Sequence, residues 1–149
     1  MATIYSSSDY NDGKISAQGN YEARIENNIF ISTVTGPLNT EGIIALGKVR
    51  HACLSELNGR DTIAAIVTYR NSMMMSPQAL AIYTKSLQQD LTETKADYVI
   101  AYVVPDHIEG RAIMLPILEA IFLKANLTWQ SFEKIADAET WINAAIKAT

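Results

Sequence analysis

The chain is predicted to be an α/β domain built on a mixed, mostly parallel five-stranded sheet with about four helices, in the order ββαβαβαβα. Three observations predict this. From Tyr21 to Ala148, strand-like and helix-like periodicities take turns after an initial pair of alternating stretches. Two runs, Thr62–Tyr69 (TIAAIVTY) and Tyr98–Val104 (YVIAYVV), are continuously apolar, as strands covered on both faces are. The segments between the strands repeat their apolar residues at helical spacing.

Residues 1–12, rich in Ser, Asn and Asp and without a period, are expected to form a flexible tail, and residues 13–149 a single domain. Lys14–Gln18 is a candidate short extra strand before the turn at Gly19-Asn20. Tyr21–Glu26 alternates, Asn27-Asn28 tolerates the positive φ of a tight turn, and Ile29–Thr35 is β-branched, which together read as a hairpin.

The first helix is expected from a cap at Asn39 or Thr40 to about Leu57, ended by Asn58-Gly59. Ile43, Leu46, Val49, Cys53, Leu54 and Leu57 share its inward arc. Arg50 falls in the same arc. It is read as an edge residue that snorkels its charge to water, against the alternative of a buried charge with a partner.

Ser76-Pro77 gives the second helix a cap and a first-turn proline, with Leu80, Thr84, Leu87 and Leu91 facing inward. Arg111–Ala125 is helical in period, with Pro116 as a kink or as the start of its regular part. Trp129–Ile135 reads as an edge strand, and Asp137 as the cap of a last helix carrying Trp141, Ile142 and Ala145 inward.

The 149 residues are 48% hydrophobic and 19% charged, with a net charge of −4. That acidic balance argues against nucleic-acid binding. Cys53 is alone, so an internal disulfide is excluded and a reducing compartment is the simpler reading. No apolar stretch is long enough to cross a bilayer, and the N-terminus lacks the pattern of a secretory signal. A soluble cytoplasmic protein is expected.

A strand hairpin ending in Gly36-Pro37-Leu38-Asn39, followed by alternating helices and strands, resembles the STAS family, whose founding members are bacterial anti-sigma-factor antagonists. That family often carries a Gly-x-Leu-Asp/Asn turn before its first helix. The run Phe132–Ile142 is similar to the last strand and helix of STAS-like proteins, in particular a branch grouped with Sec14-like lipid carriers. The resemblance covers about residues 20–147. It implies a non-enzymatic regulatory module that engages a protein partner or a small ligand through the loop before the second helix.

STAS regulators carry Asp-Ser-Ser/Thr-Gly in that loop, with the hydroxyl after the Asp phosphorylated. Here the loop reads Arg70-Asn71-Ser72-Met73-Met74-Met75-Ser76, so Asn71 replaces the Asp and Ser72 takes the acceptor's place. No glycine follows, and Ser76 at the helix cap is a rival match for phosphorylation.

In parallel sheets ligands meet the loops after the strands' carboxyl ends. Those loops bring together Asn39, Arg70, Asn71, Ser72, Asp106, His107, Glu109 and Arg111, a candidate anion site or a set of solvated caps. Met73, Met74 and Met75 suit an adaptable partner surface or the mouth of an apolar pocket, or fold back as a lid on the core. A second reading is therefore a carrier of a lipid or other apolar small molecule, its pocket framed by Met73–Met75 and the helix around Pro116.

A third reading is an enzyme acting on an anionic substrate, with His107 as acid or base. His107 lacks a nucleophile or metal partner at fixed spacing, His51 and Cys53 cannot face one site on a helix, and Asp90 and Glu93 read as solvated. No metal site, cofactor or common catalytic motif is predicted. An exposed edge strand permits a homodimer.

Overall fold

A computed structural model describes residues 3–10 and 19–147. The candidate strand at Lys14–Gln18 lies outside the described residues. The elements are β1 (Tyr5–Ser6), a 3-10 turn (Ser7–Tyr10), β2 (Asn20–Glu26), β3 (Ile29–Thr35), α1 (Thr40–Ser55), β4 (Thr62–Arg70), α2 (Pro77–Thr94), β5 (Asp97–Val103), α3 (Arg111–Lys124), β6 (Thr128–Phe132) and α4 (Ile135–Lys147).

Among the described residues, six strands stand in the order of the sequence. β1–β2 and β2–β3 are antiparallel, and β3–β4, β4–β5 and β5–β6 are parallel. The mixed, mostly parallel α/β sheet with four helices is therefore as expected, with one strand more than the five predicted. The additional strand is β1, which pairs Tyr5 with Ala23 and Ser6 with Glu22 inside the stretch expected to be a tail. Ser7 helps to fix it: its Oγ accepts from the backbone N–H of Tyr21 at 2.8 Å.

Local chemistry explains the boundaries. Asn27 and Asn28 adopt φ of 52° and 66°, which closes the β2–β3 hairpin with Glu26 opposite Ile29. The Gly36–Pro37 peptide is cis. Asn39 Oδ1 accepts from Gly42 N at 2.8 Å and caps α1. Ser76 Oγ accepts from Ala79 N at 3.1 Å and caps α2, with Pro77 at its first position. Pro116 lies inside α3 and supplies no N–H to the carbonyl four residues back. β6 stops at Phe132, and α4 starts at Ile135, so Asp137 sits in its first turn and not at its cap.

A strand order that never reverses has a consequence for helix placement. Successive crossovers of one hand, each stepping to the next strand, bring α1, α2 and α3 to the same face. Their buried residues join Tyr21, Phe30, Ile63, Ala65, Tyr98, Ile100 and Tyr102 in the main core. α4 follows the last strand and covers the other face alone, through Ala138 and Ile142 against Ala64, Ile66, Val99, Ala101 and Val103. Sheets that bind ligands at their carboxyl ends do so in the crevice where the strand order reverses. This sheet has no such reversal.

Candidate functional site

The three loops at the carboxyl ends of the strands do meet, and five hydrogen bonds join them. Gly36 N donates to Arg70 O at 3.1 Å and Asn71 Nδ2 to Gly36 O at 2.6 Å. Met73 N donates to Glu109 O at 2.9 Å, Glu109 N to Asn71 O at 3.2 Å, and Ser72 Oγ to Glu109 Oε1 at 2.7 Å. Two glycines permit the approach. A Cβ at Gly36 would overlap the carbonyl oxygen of Ser72, and one at Gly110, where φ is +80°, would overlap the Met74 side chain.

The loops therefore form a knitted platform, and the predicted residues divide between its inside and its outside. Arg70, Asn71, Ser76, Asp106 and His107 are exposed, and Asn39 is half-buried as a cap. Ser72 is 1% exposed. Its hydroxyl is fully used, donating to Glu109 and accepting from Met74 N at 3.1 Å, so a kinase cannot reach it in this conformation. Ser76 stays accessible, but its oxygen is the cap of α2.

Met73 is 2% exposed, while Met74 and Met75 are half-buried against the core. They cover a recess of about 10 Å³, which Pro116, on the exposed side of α3, does not line. His107 Nδ1 stands 3.9 Å from Asp106 Oδ1, both side chains in water. Arg111 turns away, its Nε donating to Val104 O at 3.2 Å.

A second feature lies beneath α1 and α2, where a cavity of about 60 Å³ separates the helices from the sheet. Aromatic rings dominate its wall: Tyr21, Phe30, Tyr69, Tyr83, Tyr98, Tyr102 and Phe122. Tyr83 and Tyr102 share a hydrogen bond between hydroxyls at 2.8 Å. Tyr102 packs against Tyr69 and edge-on to Phe122, with centroids 5.3 and 5.4 Å away.

Arg50 and Asp90 are the charged members of this wall. Both are buried, at 7% and 6% exposure. Arg50 Nε donates to Asp90 Oδ2 at 2.6 Å, Nη2 donates to Ser86 Oγ at 2.5 Å, and the guanidinium lies 5.5 Å from the Tyr83 ring centroid. Burial works against the guanidinium charge, but Tyr83 and Asp90 more than offset it and hold the Arg50 pKa above its usual value.

This pair corrects two expectations: Arg50 does not snorkel, and Asp90 is not solvated. A charge inside an apolar helical arc was the available signal for Arg50. Asp90 stands eleven residues after the buried Ala79 on the same face of α2, a face the leucine spacing did not point to. The tyrosines were legible too, since Tyr98 and Tyr102 sit four apart in one strand and must share a face.

Outside Asp90, the exposed His51 places Nδ1 at 3.4 Å from Asp90 Oδ1 and 3.8 Å from Glu93 Oε2. Because Arg50 already holds the Asp90 carboxylate, the cluster forms a charge network and is not assigned as a metal centre. Cys53 is buried in the core, and its burial, with Glu56 adding to the effect, pushes the thiol up to about 12. Among the described residues no helix is long and apolar enough to cross a membrane.

Comparison with family models, with curated proteins and with solved structures finds no match for this chain.

Proposed function

We propose that the chain is a non-enzymatic, STAS-like binding module that engages a protein partner through the platform before α2. The supporting observation is the knitting of three loops by five hydrogen bonds, which fixes an outward surface of Arg70, Asn71, Ser76, Asp106 and His107 before any partner arrives. A surface ordered in advance loses less freedom on binding than a mobile loop does. Met74 and Met75 add adaptable apolar contact at its edge. Ser72, whose hydroxyl donates to the Glu109 carboxylate, serves as an interior lock and is closed to substrate.

The test uses exposed residues whose side chains do not hold the loops together. Affinity capture with the wild type is compared with an Arg70→Glu, His107→Ala variant. The variant is expected to retain partner at least about tenfold less, with stability within about 0.5 kcal/mol of wild type. Equal capture by the two proteins would remove the platform from the reading.

A further inference from the structure

We infer that the cavity under α1 and α2 is a binding site for a small uncharged molecule with an apolar body and one hydrogen-bond acceptor. This site is distinct from the loop platform and stands independently of it. Native interiors leave few voids larger than a water molecule. This one is about 60 Å³. At about 10–15 Å³ of such volume per water it has room for roughly four to six waters, or for one ring of five or six atoms.

The wall specifies the chemistry. The aromatic side chains of Tyr69, Tyr83, Tyr102 and Phe122 in its wall favour an apolar body. Hydrogen-bond donors are in surplus. Tyr102 also meets the Tyr69 hydroxyl, and when Tyr69, Tyr102 and Tyr83 bond in a chain, one of their three hydroxyl hydrogens remains to donate. Arg50 spends Nε on Asp90 and Nη2 on Ser86, which leaves Nη1 as a further donor. The charged acceptor in the wall is occupied, since Asp90 Oδ2 takes Arg50 and Oδ1 faces His51. A ligand therefore gains by bringing an acceptor such as a carbonyl. It gains nothing by bringing a charge, because Arg50 and Asp90 already neutralise each other and a second buried charge is costly.

The same pair marks the way in. Asp90 lines the inner cavity, an outer groove of about 570 Å³ between α1 and α2, and a recess of about 140 Å³ below His51. Asp90 thus stands where the cavity, the groove and the recess meet, with Leu54 shared by the cavity and the recess, and the way in runs past these side chains.

Cyclopentanone is the probe, with cyclopentane as the same body without an acceptor, followed by NMR of the full chain. Saturable shifts are expected for the ketone, with intermolecular NOEs to the ring protons of Tyr69, Tyr83 and Tyr102. Its dissociation constant should be about fivefold lower than that of cyclopentane, the effect of one ordinary hydrogen bond. Ala65→Val, which fills the void from the sheet side, should abolish the binding while the protein stays folded.

No saturation, NOEs confined to the surface, or unchanged binding by a folded Ala65→Val variant would each overturn the site. Equal affinity for the two probes would overturn the acceptor requirement. The wild-type NOEs decide the matter even if the variant fails to fold.

Discussion

At the scale of single residues, the pairing of Arg50 with Asp90 carries the largest identifiable risk to stability. Both charges have left water, and each is tolerable only because the other is there. Asp90→Ala should therefore cost about 3–5 kcal/mol, because it strands a buried guanidinium. The double variant Arg50→Met, Asp90→Leu should recover most of that loss, since apolar side chains of similar volume suit the aromatic wall. Urea unfolding of the two variants checks this, and a loss below about 1 kcal/mol for Asp90→Ala would contradict the burial of the pair. Sequence could locate Arg50 on the inward arc but not its partner. Nothing local distinguishes a carboxylate facing a cation forty residues away from one facing water, and the solvated reading is the common one. Ser72 failed to reveal itself for a related reason. Its burial depends on Glu109, in a loop brought close only by the parallel pairing of β4 with β5.

Elements were most legible where one residue sets a boundary by its own backbone chemistry. Asn39 and Ser76 cap α1 and α2 as their side chains dictate. Ser76→Ala should lower stability by about 1 kcal/mol through the lost bond to Ala79 N, while Ser76→Gly should cost only a few tenths. Thermal unfolding resolves the difference, because about 1 kcal/mol moves the midpoint by about 2–4 °C in a chain of this size. A Ser76→Ala midpoint equal to wild type would mean that the cap contributes no stability. Faces were less legible than boundaries. The buried positions of α2 are Ala79, Tyr83, Leu87 and Asp90, whereas the spacing of leucines pointed to Leu80, Thr84, Leu87 and Leu91. The two stripes share Leu87 and elsewhere lie one residue apart. The leucines at its flanks are half-buried, and the centre belongs to a tyrosine and an aspartate whose value is the hydrogen bonds they make inside. β6 and α4 were misplaced by a few residues because Phe132 to Ile135 carries no glycine or proline to mark the turn.

For the whole molecule, the order of segments was enough to foresee a mixed α/β sheet, but not the distribution of helices over its faces. That distribution follows from the sequential strand order, and it concentrates the tyrosines in one thick core under α1, α2 and α3. The consequence is a stability that depends on alkaline pH. Burial holds the phenols of Tyr21, Tyr69, Tyr98 and Tyr102 above their ordinary value, and the Cys53 thiol at about 12. Each group is raised in the folded state, so its contribution is intact below the unfolded pKa and is lost as pH climbs from there towards the folded value. In that window the unfolded chain binds fewer protons than the native one, and stability falls with pH. The thiol begins to contribute near pH 9 and the phenols near pH 10. For each fully protected group the slope is about 1.4 kcal/mol per pH unit, so several acting together should unfold the domain cooperatively above about pH 10. The tyrosinate absorbance of Tyr21, Tyr69, Tyr98 and Tyr102 should therefore appear only with the loss of helical circular dichroism. If these four phenols ionised near pH 10 while the fold persisted, the aromatic core would have to be open to water. The cavity beneath α1 and α2 would then belong to solvent, not to a selective ligand.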